Sequence, residues 1–207
     1  MNQAHEPSVD QVHRLSLRRT GFWLLILAAI GLWASADLSI ERYLTLADPN
    51  YIPSCSFSLF IDCGPAMGSW QGRIFGFPNP FLGVGAFPVV MATGVIMLTG
   101  WEPPRWYWRA LAVGTTLAMV LIVFLMWTSI YSLGRLCPYC MVVWTITIPL
   151  WWNVLAFGSD RGHLPGPARL RSTLVDYRPL LIVASYVAVI LWIVIALWDT
   201  VLSEVQG

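Results

Sequence analysis

The amino-acid sequence predicts an all-α integral membrane protein with a four-helix transmembrane bundle, a fifth transmembrane helix and a long extracytoplasmic loop that caps the bundle. Hydrophobic residues make up 57% of the 207 residues and charged residues only 11%, whereas a soluble domain carries about 25% charge. Five stretches are apolar over the length of about 20 residues that a helix needs to cross a bilayer. The arginines, finally, are concentrated in alternate connections between these stretches.

The five predicted spans divide the chain into regions. The spans are residues 21–46, 81–100, 109–133, 137–157 and 179–200. The first is too long for a signal peptide, so we expect a retained helix. The regions are a cytoplasmic segment (1–20), the four-helix bundle (21–157) with its loop (47–80), a basic cytoplasmic loop (158–178), and the fifth helix with a short tail (179–207).

The distribution of arginines predicts the orientation in the membrane. Nine lie in flanks on one side: Arg14, Arg18, Arg19, Arg105, Arg109, Arg161, Arg169, Arg171 and Arg178. Arg42, Arg73 and Arg135 lie on the other side. Because cytoplasmic flanks carry the excess of positive charge, the nine-arginine side is predicted to be cytoplasmic. The loop of residues 47–80 then lies outside the membrane, on the extracytoplasmic side.

This long loop is rich in Gly, Pro and Ser but also carries many apolar side chains. A connection of such length inside a compact domain is usually functional or disordered, and the apolar content favours a folded cap with a short helix near residues 54–60.

Asp37 and Glu41 lie one turn apart in the outer half of the first span, where unpaired charges are costly. We expect Arg73 or Arg135 to form an ion pair with them.

All four cysteines fall on the predicted outer side, where disulfides are stable. Cys55 and Cys63 lie in the loop, and Cys137 and Cys140 open the fourth span as a C-x-x-C motif. Cys137 is predicted at a helix N-terminus, where free N–H groups favour a thiolate, and Pro138 suits the first helical turn. Cys140 then lies one turn deeper. Such a dithiol can react with a protein thiol above it and a lipid-soluble electron acceptor beside it.

Other classes of protein remain compatible with four cysteines. Two static disulfides could staple a membrane scaffold or a small transporter without catalysis, and the four residues can pair in three ways. A Cys₄ zinc site in a metal-binding membrane protein is a further alternative, although the seven residues between Cys55 and Cys63 are a loose spacing for zinc. The C-x-x-C motif together with a second outer pair favours a redox relay.

The run CSFSLFIDCGPAMGSWQGRIFGFPNPFLG, followed about 70 residues later by CPYC, resembles the vitamin K epoxide reductase family, and its bacterial members in particular. The resemblance covers about residues 20–157. It implies that Cys55 and Cys63 are a shuttle pair and that Cys137 and Cys140 are the active-site pair that reduces a quinone. It also implies that Cys63 and Cys137 are the two cysteines that meet.

The same resemblance implies a quinone pocket. Asn79 matches the asparagine that hydrogen-bonds a quinone oxygen, Ser69 matches a serine near the quinone, and Phe75 with Gly76 belongs to the capping loop. Trp144 stands where the vertebrate enzymes have a tyrosine that contacts substrate, so the contact there differs. The unrelated family of disulfide bond formation protein B is a rival interpretation. It places its second cysteine pair in the outer loop between the third and fourth helices, and the corresponding connection here, residues 132–136, is too short to contain such a pair.

The resulting hypothesis is a membrane thiol oxidase and quinone reductase. A separate extracytoplasmic thioredoxin-fold protein is expected to reduce the loop pair, because no fused thioredoxin-like domain follows the fifth helix. Electrons then pass through the two cysteine pairs to menaquinone or ubiquinone without a metal, which supports disulfide formation in exported proteins. The expected location is the bacterial cytoplasmic membrane, with the active site on the extracytoplasmic side.

Overall fold

The structure, a computed structural model, describes residues 9–48, 50–56 and 61–205. In chain order its elements are α1 (Val9–Ala47), α2 (Gly64–Gly68), the 3₁₀ turn η1 (Gln71–Arg73), α3 (Pro80–Leu98), α4 (Arg105–Trp127), a π-helical segment (Thr128–Leu133), α5 (Pro138–Asp160), α6 (Ala168–Asp176) and α7 (Arg178–Val205). Within these ranges the only β-type pairing is an isolated bridge between Ile61 and Leu136.

Five helical stretches are long and apolar enough to cross a membrane. They are Ser16–Ala47, Pro80–Leu98, Arg105–Leu133, Pro138–Asp160 and Arg178–Ala196. The prediction of an all-α membrane protein is therefore confirmed. Two of the helices start well before the predicted spans, since α1 begins at Val9 and α4 at Arg105. The apolar pattern marks only the lipid-facing length, whereas an established helix extends cheaply into polar flanks.

Small residues bring α1 and α3 close together. A Cβ atom on Gly94 would lie 2.7 Å from the carbonyl oxygen of Gly21 and 2.8 Å from the backbone nitrogen of Leu25. The two backbones therefore approach more closely than larger side chains would permit, as is common where helices pack in membranes. Leu24, Val90 and Met97 fill the core beside this crossing.

Helix α5 lies against α1 on one side and against α4 and α7 on the others. Pro149 lacks an N–H, so the carbonyl of Thr145 loses its helical partner, and the Tyr186 hydroxyl of α7 donates to it. A second bond joins the Trp152 indole N–H to Ser185 Oγ at 3.0 Å. Both bonds fasten α7 to α5, while many apolar side chains on the opposite face of α7 are exposed.

The loop of residues 47–80 folds over one end of the helices. Of the expected helix near residues 54–60, residues 54 and 55 form a turn, and residues 57–60 lie outside the described part of the chain. The helical turns in the described part of the loop are α2, which has Pro65 in its first turn, and η1. Proline at the start of a helix and the Gly-rich sequence around it explain this placement.

The expected ion pair of Arg73 or Arg135 with Asp37 or Glu41 is wrong. The Arg135 guanidinium lies 2.9 Å from Asp62, and neither carboxylate of α1 forms an ion pair with any other described residue. Asp37 accepts a hydrogen bond from the Tyr139 hydroxyl, and Glu41 accepts one from the Ser54 N–H at 3.2 Å. Neutral donors of the covering loop and of α5 therefore satisfy these charges.

At the opposite end of the helices a charged cluster ties two connections together. Glu102 lies 2.7 Å from His163 Nε2 and 3.5 Å from Arg161 Nη1, and the His163 ring stacks on buried Trp108. The following basic segment, expected to be a loop, contains the short helix α6. This end lies away from the cysteines, which all belong to the loop end.

Candidate active site

The cysteines converge beneath the covering loop. Cys55 and Cys63 form a disulfide, and Cys137 and Cys140 are free thiols. The sulfur of Cys63 lies 3.2 Å from the sulfur of Cys137, which is close to van der Waals contact. Cys55, Cys63 and Cys137 are each at most 2% exposed. One sulfur of the loop disulfide is therefore held against one thiol of the C-x-x-C motif.

The local sequence explains how Cys137 is presented. Gly134 adopts the left-handed conformation (φ 60°) that ends the π-helical segment, a conformation that glycine takes without steric cost. Cys137 is extended and precedes α5, whose first residue is Pro138, as predicted. The pKa of the Cys137 thiol is lowered, because the Cys140 thiol donates a hydrogen bond to it and the N–H groups of Cys140 and Tyr139 point at it. Burial and the charge of Asp62 oppose this shift only in part.

Asp62 joins the loop to the segment before Cys137. Its carboxylate accepts hydrogen bonds from Ser56 Oγ at 2.6 Å and the Gly64 N–H at 2.9 Å, and it pairs with Arg135 at 2.9 Å. Its own N–H donates to the Leu136 carbonyl at 3.1 Å. The pKa of Asp62 is lowered, first by the Ser56 hydrogen bond and then by the Gly64 N–H and Arg135. We call these contacts the Asp62 clamp, because they connect residues adjacent to Cys55, to Cys63 and to Cys137.

A cavity of about 450 Å³ lies between α1, α3, α4 and α5. Cys140 lines it near the loop end, and Tyr107 and Ala110 of α4 line it toward the opposite end. Its wall is mostly apolar, with small residues such as Ala86, Gly114 and Ala118. The cavity is therefore a long apolar space with one reactive thiol at one end.

Three of the four residues predicted to contact a quinone line this cavity: Ser69, Asn79 and Trp144. Phe75, which was predicted as part of the capping loop, is not among the lining residues. Its ring is 57% exposed and packs against Phe77, with centroids 6.2 Å apart. Gly76, which has a φ of 83°, lies between these two exposed rings.

The polar atoms of Ser69 and Asn79 are in different situations. The Ser69 hydroxyl donates to the Ala66 carbonyl at 3.0 Å and accepts from the Gly72 N–H at 3.1 Å, so it holds the α2–η1 turn together. Asn79 does not cap α3 with its side chain. Its Nδ2 donates to the Gln71 carbonyl at 2.7 Å, and its Oδ1 is buried without a partner among the described residues. One residue of the cavity wall therefore has a buried acceptor atom without a partner in the described part of the chain.

Sequence reasoning did not identify several polar residues of this region. Arg42, Gln71 and Thr128 also line the cavity, and Thr128 Oγ1 is buried without a partner in the described part of the chain. Asp62 was likewise not singled out, although its position next to Cys63 was an available signal. A threonine inside an apolar stretch ordinarily donates a hydrogen bond to its own helix. The sequence around Thr128 therefore did not indicate that its hydroxyl is unpaired.

Comparison with known protein families and proteins gave one match. The model of the vitamin K epoxide reductase family matches residues 22–155. This range runs from α1 through most of α5, and contains all four cysteines and the residues of the cavity, but not α6 or α7. No curated protein matches the chain.

Proposed function

Because the chain belongs to the vitamin K epoxide reductase family, and is thus a membrane oxidoreductase, we propose that it oxidises thiols at the expense of a membrane quinone. In this proposal it re-oxidises an extracytoplasmic thioredoxin-fold protein and so supports disulfide formation in exported proteins. The observation that carries the proposal is the line of sulfur atoms. Cys55 is bonded to Cys63, Cys63 lies 3.2 Å from Cys137, and Cys140 lines an apolar cavity.

The transfer between the two pairs is a thiol–disulfide exchange. With the loop pair reduced and the helix pair oxidised, the Cys63 thiolate attacks the sulfur of Cys137. A Cys63–Cys137 bond forms, the Cys137–Cys140 bond breaks, and Cys140 leaves as a thiolate. The Cys55 thiolate then attacks Cys63, which restores the Cys55–Cys63 disulfide and releases Cys137. Two electrons have moved from the loop pair to the helix pair.

The arrangement of bonds in the structure corresponds to the state after this transfer. The loop pair is oxidised and the helix pair carries two thiols. The lowered pKa of Cys137 makes it the better leaving thiolate in the second exchange, since a thiol of lower pKa leaves faster. This supports the assignment of Cys137 to the loop and of Cys140 to the cavity.

The residues around Cys140 suit a quinone. The cavity is apolar, as prenylated rings require, and Asn79 Oδ1 is a buried acceptor without a partner in the described structure. A bound quinone would supply an acceptor for two electrons and two protons. Cys137 and Cys140 give up these electrons and protons and close their own disulfide. Asn79 Nδ2 donates one hydrogen bond to Gln71. Its Oδ1 can only accept a hydrogen bond, so it favours the reduced ring, which carries O–H groups.

The partner enters at the other end of the relay. Cys55 is the proposed target of the partner's thiolate, because Cys63 already faces Cys137. Both loop cysteines are buried in this arrangement, so the partner reaches Cys55 only when the loop lifts from the segment before α5. We place this reaction on the extracytoplasmic side of a bacterial cytoplasmic membrane. Only three of the twelve arginines, Arg42, Arg73 and Arg135, lie in the flanks on the side of the cysteines, and cytoplasmic flanks are arginine-rich.

Turnover of the purified protein tests the proposal. A reduced thioredoxin-fold protein is mixed with it and with menaquinone or ubiquinone in turn, and thiol loss and quinone absorbance are followed together. The expected result is one quinone reduced for each disulfide formed in the partner. If all four cysteines only staple a scaffold, no quinone is consumed and the thiols of a mildly reduced sample do not re-oxidise when quinone is added.

Cross-linking tests the proposed route. The variant Cys55→Ala/Cys140→Ala retains Cys63 and Cys137 and should form an internal disulfide readily, seen on a non-reducing gel after cleavage at a site introduced near Gly100. The matched variant Cys63→Ala/Cys140→Ala retains Cys55 and Cys137 and should cross-link much less. Equal cross-linking of the two variants would reassign the roles within the loop pair.

A further inference from the structure

Thr128 is a buried polar residue that the relay does not use. It is 2% exposed, and its Oγ1 has no hydrogen-bond partner among the described residues. It lies where α4 passes into the π-helical segment and lines the same cavity as Cys140 and Asn79. A buried hydroxyl without a partner is unfavourable, so its presence beside an apolar cavity requires an explanation.

Other threonines within the membrane helices do not share this feature. Thr93, Thr115, Thr116, Thr145 and Thr147 each donate to the carbonyl four residues earlier, over 2.7 to 2.9 Å. This is the usual way in which a helix satisfies a threonine in an apolar environment. At Thr128 the helical pattern changes to the wider π form, which often marks a functional site. The Thr128 hydroxyl therefore lacks the bond to its own helix that the other threonines make, although Thr128 lines the cavity.

The two unpaired groups of the cavity differ in what they can bind. Asn79 Oδ1 only accepts, whereas the Thr128 hydroxyl can donate to a carbonyl oxygen or accept from an O–H group. A ring with an oxygen at each end, which changes from carbonyl to hydroxyl on reduction, can use both groups. Trp144, in the same cavity, can donate only through its indole N–H.

We propose that Thr128 is a quinone-binding residue, whose hydroxyl donates to the ring oxygen remote from Asn79. The inference rests on the proposed function and adds a second polar contact to it. Because a hydroxyl can serve both forms of the ring, Thr128 determines affinity for the oxidised quinone. Asn79 Oδ1, which can only accept, acts when the reduced form appears. Loss of Thr128 should therefore raise KM, and loss of Asn79 should lower kcat.

Direct binding tests this inference without turnover. The probe is ubiquinone with a single isoprene unit, and its Kd is measured by equilibrium dialysis against full-length protein carrying Cys137→Ser, which cannot close the helix disulfide. The isosteric change Thr128→Val should raise the Kd about 3- to 12-fold, as expected for loss of one hydrogen bond between neutral groups. Thr128→Ser, which keeps the hydroxyl, should restore most of the affinity.

Thr145→Val is the control, because the Thr145 hydroxyl donates to the Met141 carbonyl and Thr145 is not among the residues that line the cavity. Its Kd should stay near that of the parent protein. Equal affinity of the Thr128→Val variant and the parent would overturn the inference while leaving the proposed function intact, as would equal losses at both threonines. Absence of any binding or turnover by the parent protein would overturn the proposed function itself.

Discussion

The two polar atoms of the Asn79 side chain have different roles. Its Nδ2 joins η1 to the start of α3, and its Oδ1 is buried without a partner among the described residues, in a residue that lines the cavity. A buried acceptor of this kind is strongly selective for a ligand that brings a donor. The reduced quinone does so, and interactions that strengthen toward the product side lower the barrier to reaching it.

Asn79→Ala should therefore slow quinone reduction by an amount on the order of 1–3 kcal/mol in activation free energy, the cost of one lost hydrogen bond in a buried site. Disulfide exchange between the partner and the loop pair should continue at its original rate. Stopped-flow absorbance of the quinone and gel analysis of trapped disulfides measure the two steps separately. Unchanged quinone kinetics would leave Asn79 as a residue that only holds the loop.

Asp62 is the charged residue nearest in sequence to the site of exchange. Because its pKa is lowered by Ser56, Gly64 and Arg135, it stays ionised at and above its ordinary pKa of about 4. The stabilising contribution of its charge is present above that value and is lost only as the pH falls through the lowered pKa. The Asp62 clamp is thus complete throughout the neutral pH range in which thiolates react.

On the Cys55→Ala/Cys140→Ala background, Asp62→Asn should slow formation of the Cys63–Cys137 disulfide about 2- to 5-fold, the range expected for a partly exposed ion pair. Arg135→Gln should have a similar effect, and the double variant should lose little more, since both changes remove one interaction. Asp48→Asn, an exposed aspartate of the same connection, is the control. A rate equal to that of the background in all variants would show that the clamp does not position Cys63.

At the scale of elements, the close crossing of α1 and α3 aligns the two sides of the cavity. Residues of both helices line it, among them Leu38 of α1 and Leu82 of α3, so a shift between the helices changes its width. The crossing depends on glycine because backbone atoms, which cannot rotate away, lie where a side chain at Gly94 would be placed. A steric clash between an added side chain and the backbone of the neighbouring helix is relieved only when one helix moves.

Gly94→Ala should lower the free energy of unfolding by about 1–3 kcal/mol, the usual cost of overpacking. The same substitution at Gly85 of α3, where nothing lies within 4 Å of the added Cβ, should have little effect. Thermal unfolding in detergent, followed by tryptophan fluorescence, compares the two variants. Similar midpoints for both would mean that the crossing can widen without cost.

At the scale of the whole molecule, the two ends of the helices differ chemically. All four lie at the loop end, while the Glu102–His163 cluster and most arginines lie at the other. The proposed orientation follows from the arginine distribution, since cytoplasmic flanks carry the positive excess.

Reporter fusions test this orientation. Fusions after Gly100 and Gly158 should give a cytoplasmic signal, and a fusion after Gly207 an exported one, because five spans separate the N-terminal segment from that point. Fusion after Gly134, close to the cysteines, should also be exported. A cytoplasmic signal after Gly207 together with an exported one after Gly134 would remove α7 as a span but keep the proposed site of the reaction.

The sequence alone determined those features that depend on local pattern. Runs of apolar residues predicted five membrane-spanning helices, because crossing a bilayer requires about 20 apolar residues in one helix. Pro138 after Cys137 predicted the start of α5, because proline is favoured in a first turn. The order of motifs from Cys55 to Cys140 was sufficient to identify the family. None of these features requires knowledge of which helix packs on which.

Only the tertiary structure decided the contacts between distant parts of the chain. The 3.2 Å approach of Cys63 to Cys137, the pairing of Arg135 with Asp62 and the outward position of Phe75 all depend on how the loop folds onto the helices. The unpaired state of Thr128 likewise depends on a local change of helix type beside a cavity built by four helices. Residue patterns record which side chains avoid water, whereas the partners of buried polar groups are set by packing in three dimensions.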